Sequence, residues 1–352
     1  MRILFFINHL ADGGAERVAA ILLNHLCEQH NIELILFCDK KSSYYISPTI
    51  LFQEILINNK LKVIRFVRRI LGMRKLIKQK SPDIIISFLT HTNSYVLIAN
   101  LFLKKKTIVM EQTSIQRPAS AWHSFSRRIL YRLATKVILV SNDDCRHAQW
   151  LHNKLCIHNP VSFNIYKGGA NREPLVVAIG AQSRWHVKGF DLLIQAWAKI
   201  AQSHSKWKLQ FIGSKDDNYI SDMVKTYRLE NQVDYIGWKD NIDEVLQTKS
   251  IYVLSSRNEG FPNSLIEAMS KGCACVAFDC KTGPNEIIVD GESGLLARNG
   301  DVDDLADKLQ QLIEDENLRH KLSNEATEKA KKFDKDTFFA KWDSLIDEVT
   351  AK

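Results

Sequence analysis

The stretch from Ser255 to Gly272, SSRNEGFPNSLIEAMSKG, carries two carboxylates, Glu259 and Glu267, with seven residues between them. The apolar run Ile251–Leu254 ahead of it reads as a buried strand, and the segment between the acids holds Gly260, Phe261, Pro262, Asn263 and Ser264. Pro262 and Asn263 are favoured where a helix starts and Gly272 where it stops, so strand, tight loop and helix follow one another. A helix N-terminus offers free backbone N–H groups and the positive end of its dipole, which suits a phosphate. Helical side chains lean toward that end, so Glu267 can reach back over the same place. Carboxylates repel a phosphate. They fit there if they grip neutral hydroxyls on either side of it, such as those of a ribose and a sugar. A second loop supplies the cations. After the strand Leu175–Ile179 come Gly180, Ala181, Arg184, Lys188 and Gly189, then a helix over Leu192–Ala201. Arg184 and Lys188, on a strand-to-helix loop, suit the charge of a departing diphosphate.

Both loops need a scaffold of strands and helices. At 352 residues the chain exceeds the ~250–300 at which one core stops growing, so two domains are expected. In the first half, strands are expected at Ile3–Ile7, Ile32–Phe37, Ile84–Phe88, Thr107–Met110 and Val137–Val140, with helices at Glu16–Cys27 and Tyr95–Phe102. In the second half, strands are expected at Leu209–Ile212, Val233–Trp238 and Ala274–Phe278, with helices from Asp301 onward. Apolar strands alternating with helices define an α/β chain with doubly wound parallel sheets. Ligands of such sheets bind beyond the carboxyl ends of the strands. That rule singles out Gly13 and Gly14 after the first strand, His91 after the strand Ile84–Phe88, and Gly213 after Leu209–Ile212. The first loop, ADGGAER, lacks a complete G-x-G-x-x-G, so a dinucleotide site is not supported. A Gly/Asn/Pro-rich stretch, SFNIYKGGANREP, reads as the linker. The expected domains are residues 1–165 and 166–335, with residues 336–352 as a helix crossing back onto the first domain.

Charge is unevenly spread. Residues 1–170 carry 24 Lys and Arg against 10 Asp and Glu, whereas residues 171–352 carry 24 against 30. An anionic partner is therefore expected only for the first half. Its most basic segment, Lys60 to Lys80, holds nine Lys and Arg and no acid. Val63, Phe66, Val67, Ile70, Leu71 and Ile77 can share one helical face there. Such a helix suits an anionic membrane surface, with Lys62, Arg65, Arg68, Arg69, Arg74 and Lys75 as the contacting cations. Packing of the apolar side on the sheet, with a solvated basic face, is the competing reading, and both can hold together. A second basic cluster, Ser126–Arg132 with Trp122 and Phe125 before it, points the same way. No zinc-finger spacing or RNA-binding aromatic signature is present, so nucleic acid is not expected. No apolar run approaches the ~20 residues that span a bilayer. Seven scattered cysteines fit a reducing cytoplasm, and Cys273-Ala274-Cys275 reads as core within a strand.

The two glutamates around Gly-Phe-Pro resemble the nucleotide-sugar signature of the family-4 retaining glycosyltransferases, enzymes of the two-domain GT-B fold. The resemblance covers most of the chain and is strongest from Leu175 to Leu296. It implies two Rossmann-like domains facing across a cleft. It implies that Glu267 holds the ribose hydroxyls, that Glu259 contacts the donor sugar, and that the amides between them face phosphate and sugar. Lys188, before Gly-Phe-Asp, matches the family's diphosphate-binding lysine. The arginine that the family places after the glycine is replaced by Ala181, and Arg184 is a substitute candidate. Trp238 falls where relatives border the nucleotide base. Gly13 and Gly14 correspond to a loop bordering the acceptor side of the donor phosphates. Gln112 stands where many relatives carry a histidine, and glutamine cannot take up a proton near neutral pH. The phrase Asp279-Cys280 followed by Gly283-Pro284 and Glu286-Ile287 resembles the subgroup that extends bacterial cell-surface glycans.

The expected activity is retaining transfer of a hexose or N-acetylhexosamine from a UDP-sugar to a lipid-linked glycan in O-antigen or lipopolysaccharide-type synthesis. The protein would sit peripherally on the inner face of the cytoplasmic membrane. No cofactor is expected. The adjacent acids Asp216-Asp217 and Asp303-Asp304 fall in polar segments away from the candidate site, so no metal is expected either. A UDP-sugar epimerase of the same architecture, and a non-catalytic membrane- or glycan-binding protein, are the alternatives. The first would need no glycan acceptor. The second would need a disabled donor pocket.

Overall fold

The computed structural model describes residues 1–11, 13–37, 42–55, 61–166, 168, 172–213, 218–239 and 241–351. Asp12, Lys60, Asp216 and Asp217, with the linker residues Lys167 and 169–171, lie outside the described residues, as does the side chain of Lys62. The chain forms two compact units, one of Met1–Ser162 with Lys335–Lys352 and the other of Phe163–Asp334.

The first unit opens with β1 (Arg2–Phe6), α1 (Gly14–Leu26), β2 (Asn31–Leu36) and the edge strand β3 (Leu51–Glu54). The basic helix α2 (Lys62–Lys80) leads to β4 (Ile84–Phe88), α3 (Thr90–Ala99) and β5 (Lys106–Glu111). Then come α4 (Ala121–Arg128), a 3-10 turn at Leu130–Leu133, β6 (Lys136–Leu139), α5 (Asn142–His147) and β7 (Lys154–Cys156). All seven strands run parallel in the order β3-β2-β1-β4-β5-β6-β7. β1 and β4 are apolar almost throughout because helices cover both faces of the sheet. On one face α2 and α3 pack on Leu4, Phe6, Ile35 and Ile85. Beside them α3 and the Leu130–Leu133 turn pack on Val109, Val137 and Leu139.

The second unit runs through β8 (Glu173–Ile179), α6 (Trp185–Lys188), α7 (Phe190–Ile200), β9 (Lys208–Ile212), α8 (Tyr219–Thr226) and β10 (Val233–Tyr235). It continues through α9 (Ile242–Gln247), β11 (Lys249–Leu254), α10 (Asn263–Ser270), β12 (Ala274–Asp279), α11 (Pro284–Ile287) and β13 (Leu295–Arg298). Helices α12 (Val302–Glu314) and α13 (Glu316–Ala330) close it, and α14 (Lys335–Ala351) then packs in the first unit. Six parallel strands stand in the order β10-β9-β8-β11-β12-β13. Cys273 and Cys275 are buried, and burial pushes the Cys273 thiol up to about 11.

Three expectations are corrected. The strand expected over Val233–Trp238 stops at Tyr235, because Gly237 turns the chain at φ +70°. The helix expected over Tyr95–Phe102 begins at Thr90 and ends at Ala99. The single apolar face of α2 is two faces. Met73, Leu76 and Ile77 are buried, with Ile70 packed against the same core and Phe66 in edge contact with Tyr95. Val63, Val67 and Leu71 form a separate stripe at four-residue spacing and are exposed, Val63 by 74%. An extra apolar stripe is invisible to a periodicity test that asks only for one hydrophobic face.

Candidate active site

In the second unit, the order of the sheet reverses between β8 and β11, which are hydrogen-bonded neighbours. Loops leaving the carboxyl ends of two such strands diverge and leave a crevice, where ligands of doubly wound sheets bind. The loop after β8 carries Arg184 and Lys188, and the loop after β11 carries Glu259. Lys188 Nζ lies 2.9 Å from Glu259 Oε1, and both side chains are only 15% exposed. Burial pushes the Glu259 carboxyl up, but the charges of Lys188 and then Arg184 outweigh it and hold the carboxyl below its usual range. Glu259 is therefore ionised in the paired state.

The two loops are tied at several points that sequence reading did not pick out. Gly189 sits at φ +64°, and a Cβ there would lie 1.8 Å from the Ser255 carbonyl oxygen, so only glycine lets the loops touch. Ser255 donates its hydroxyl to the Lys188 carbonyl at 2.8 Å, and the Arg257 N–H donates to the Val187 carbonyl at 3.0 Å. The Arg257 guanidinium grips Asp191 at the start of α7 with two bonds of 2.7 Å and also donates to the His186 carbonyl. From the other side, Thr282 donates its hydroxyl to the Glu259 carbonyl. Gly283, at φ +94°, packs with no room for a Cβ beside Pro262. The short-range glycine motif was readable, but the Asp191–Arg257 pair joins residues 66 apart.

Helix α10 begins at Asn263 with Pro262 as its N-cap, the expected strand-loop-helix arrangement. Gly260, Phe261 and Pro262 are buried, and Phe261 packs its ring against Phe333 at 5.4 Å. Ser264 accepts a hydrogen bond from Tyr252 at 2.7 Å. Burial first, and then the nearby Glu259 and Glu267 carboxylates, push the Tyr252 hydroxyl well above its usual range. Both glutamates thus lie within electrostatic reach of one residue, with Glu267 buried one turn inside α10. Gly213, at the end of β9, presses against the Gly180 carbonyl and donates its N–H to Gly237. Trp238 follows, half-exposed. Gln182, next to Ala181, is only 2% exposed, and neither of its amide atoms has a hydrogen-bond partner among the described residues.

The first unit has its own reversal, between β1 and β4. Gly13, Gly14 and His91 all lie on the loops at that point, as the strand positions require. Gly13 does not present an empty backbone. Its N–H donates to the Tyr44 hydroxyl at 3.0 Å, and that hydroxyl donates to its carbonyl at 2.9 Å. His91 meets His123 of α4, with the two Nε2 atoms 3.0 Å apart. Gln112 is turned to a different partner than expected. Its amide exchanges two hydrogen bonds, of 3.0 and 2.8 Å, with buried Asn159. Beside it, the buried Glu111 accepts from Thr90, Tyr131 and Arg127, a cluster that satisfies its charge inside the unit. Of the basic residues of α2, Arg74 caps the end of α3 by donating to Ala99 and Leu101, and Arg69 reaches the Phe37 carbonyl and ring. These two cations are held by their own domain, which corrects their assignment to a membrane. Arg68 and Lys75 are exposed, and Arg65 is half-buried.

Comparison with known proteins agrees with this arrangement. Residues 12–162 match the model for Glycosyltransferase Family 4, and residues 165–329 match that for Glycosyl transferases group 1. The fold is similar to that of a sucrose-phosphate synthase from Thermosynechococcus elongatus, with a TM-score of 0.85 at 16% identity over 99% of each chain. It is also similar to Anabaena HepE in complex with UDP-glucose, with a TM-score of 0.82 at 18% identity over 99% of this chain and 100% of that one. Two Rossmann-like units with a donor-type loop pair at the switch point of the second define a GT-B glycosyltransferase, and the chain belongs to that class. Among its relatives is a Campylobacter jejuni α-1,4-N-acetyl-D-galactosaminyltransferase acting on a diphospho-undecaprenol-linked glycan, 27% identical over 99% of both chains. Another is the amylovoran biosynthesis glycosyltransferase AmsD of Erwinia amylovora, 25% identical over 98% of this chain and 99% of that one. The chain is thus a glycosyltransferase of cell-surface polysaccharide synthesis, with relatives of that kind along nearly its whole length.

Proposed function

We propose that the protein transfers a hexose or N-acetylhexosamine from a UDP-sugar to a lipid-linked glycan, with retention of anomeric configuration and without a metal ion. The observation that carries this reading is the Lys188–Glu259 pair at the crevice between β8 and β11, beside the N-terminus of α10. In the proposed reaction the bond between the anomeric carbon and the donor phosphate breaks, and a bond from that carbon to an acceptor hydroxyl oxygen forms. The acceptor proton passes to the departing diphosphate on the same face, so no covalent enzyme intermediate is needed. Lys188, Arg184 and the first amides of α10 supply the positive charge that the leaving diphosphate needs, a task a bound metal would otherwise perform. Glu259, ionised and held by Lys188, orients the sugar hydroxyls, and Glu267 takes the ribose. Several named relatives form α linkages to diphospho-undecaprenol-linked glycans, which supports retention and the acceptor class. Among the described residues no helix is long and apolar enough to cross a membrane. Contact with a lipid-borne acceptor is therefore assigned to the surface of the first unit, where α2 offers exposed cations beside its exposed apolar stripe.

The test is turnover across UDP-, GDP- and ADP-sugars with membrane lipid extract as acceptor, alongside Glu267→Ala and Lys188→Ala. UDP release from one sugar that requires lipid, and is lost in both variants, is expected. Sugar interconversion without any acceptor would replace the transferase by an epimerase.

A further inference from the structure

Helix α2 is only one part of a larger apolar and basic surface. Helices α2, α3 and the α4-to-Leu133 segment all lie on one face of the seven-stranded sheet, so their outer sides point away from it together. In α3 every residue from Thr90 to Ala99 is buried except His91, Tyr95 and Ile98, which fall at helical spacing along its outer edge. Just past the end of that edge stands Phe102, at φ +63° and 90% exposed, followed by Lys104, Lys105 and Lys106. On one flank, α2 exposes Val63, Val67 and Leu71; on the other, Phe125, Ile129 and Leu133 are each about half exposed. Isolated exposed apolar residues are ordinary, but three neighbouring elements exposing them on one face form a patch that needs an occupant.

Charge identifies the occupant. Between Lys60 and Asn142 the only acids are Asp83 and Glu111. Glu111 is buried against Arg127, and Asp83 accepts from the Arg2 N–H. The exposed cations Arg68, Lys75, Lys104, Arg128 and Arg132 surround the apolar side chains, with no exposed acid on α2, α3 or α4 to oppose them. Apolar groups ringed by cations complement an anionic bilayer, whose surface attracts the charges while its acyl boundary takes the side chains. We propose that this three-element face seats the first unit on an anionic membrane, with Phe102 as a second anchor point apart from α2. The inference deepens the membrane contact of the proposed function and rests on it.

Flotation of the full chain with phosphatidylglycerol-containing vesicles, against pure phosphatidylcholine, tests the proposal without donor or acceptor. Binding to the anionic vesicles alone is expected. Phe102→Ser, Val67→Ser and Ile129→Ser, one from each element and all at exposed positions, should each weaken partitioning about tenfold. Their melting temperatures should stay unchanged. Loss with Val67→Ser but not with Phe102→Ser or Ile129→Ser would leave α2 as the sole contact and overturn the three-element face. A concentration-dependent dimer abolished by the same variants would assign the patch to a second copy and also overturn it. UDP binding measured in the same samples keeps the two readings apart. Absent vesicle binding with intact UDP binding would sink the membrane face and leave the donor site standing.

Discussion

Lys188 and Glu259 compensate each other's charge in a largely buried setting, so removing one leaves the other unpaired. Lys188→Ala should destabilise the second unit by about 3 kcal/mol, and Lys188→Ala with Glu259→Ala by less than the sum of the single changes. A urea-denaturation double-mutant cycle measures that coupling. Turnover should fall about a hundredfold in Lys188→Ala, because the leaving diphosphate loses its nearest cation. The pH dependence follows from the depressed Glu259 carboxyl. The folded state binds that proton less readily than the unfolded chain. The pair's stabilisation is therefore complete above the ordinary carboxyl value of 4.5 and is lost as pH falls through the folded one. An acid limb in kcat/KM due to Glu259 should accordingly lie below 4.5, and in Lys188→Ala it should move upward. A pH–rate profile decides this. Gln182 makes a different prediction. A buried amide with unmet hydrogen bonds costs about 1–3 kcal/mol. Gln182→Leu should therefore raise the melting temperature by several degrees. If the amide is held ready for the donor, it should also weaken UDP-sugar binding severalfold by calorimetry. A stabilised variant with unchanged affinity would remove Gln182 from the donor site.

At the scale of elements, the loop pair behaves as one rigid part because Arg257 bridges it to α7. Arg257→Lys keeps the charge but cannot form the two-pronged bond to Asp191. Glu259 would then sit less firmly, and kcat should fall about ten- to a hundredfold. UDP affinity should change little, since Glu267 and the start of α10 are untouched. Steady-state kinetics beside UDP titration separates these effects. Much of this region was readable in advance. Strand, glycine loop, helix start and paired acids are local patterns, and Lys188-Gly189 is a local pattern too. The clamps were not, because Arg257–Asp191 and Thr282–Glu259 depend on which strands become neighbours. Gln112 failed for a related reason. Its position after β5 was right, but its side chain is satisfied by Asn159, 47 residues on. The faces of α2 show the limit of periodicity, which identifies apolar stripes without saying which one the sheet will cover. The edge strands β3, β7 and β13 are only three or four residues long and carry too little pattern to stand out.

At the scale of the molecule, the chain leaves the first unit at Ser162 and returns to it at Lys335, so the two units are not equally self-sufficient. The second has an uninterrupted sequence and its own core, from Val176 and Trp197 to Leu309 and Leu322. The first depends on α14. Phe338, Trp342, Leu345, Ile346 and Val349 are buried there, Trp342 lies near-parallel to Phe88, and Phe339 stacks on His25 at 4.0 Å. His25 also bonds Asp343 at 2.9 Å, and Lys136 pairs with Glu348 at 3.0 Å. Uncovering five large apolar side chains forfeits roughly 10 kcal/mol at 1.5–3 kcal/mol each, comparable to the whole net stability of ~5–15 kcal/mol of a domain. A chain ending at Asp334 should therefore lose the melting transition of the first unit while keeping that of the second. All the residues assigned to the donor lie between Arg184 and Glu267. The fragment 163–334 should consequently fold and bind UDP within about tenfold of the full chain, yet transfer no sugar. Scanning calorimetry with and without UDP tests both statements. A ligand-shifted transition in the fragment would locate donor binding in the second unit alone. If truncation abolished all cooperative unfolding, the two units would be coupled more tightly than their separate cores imply, and the assignment of UDP to one of them would fail.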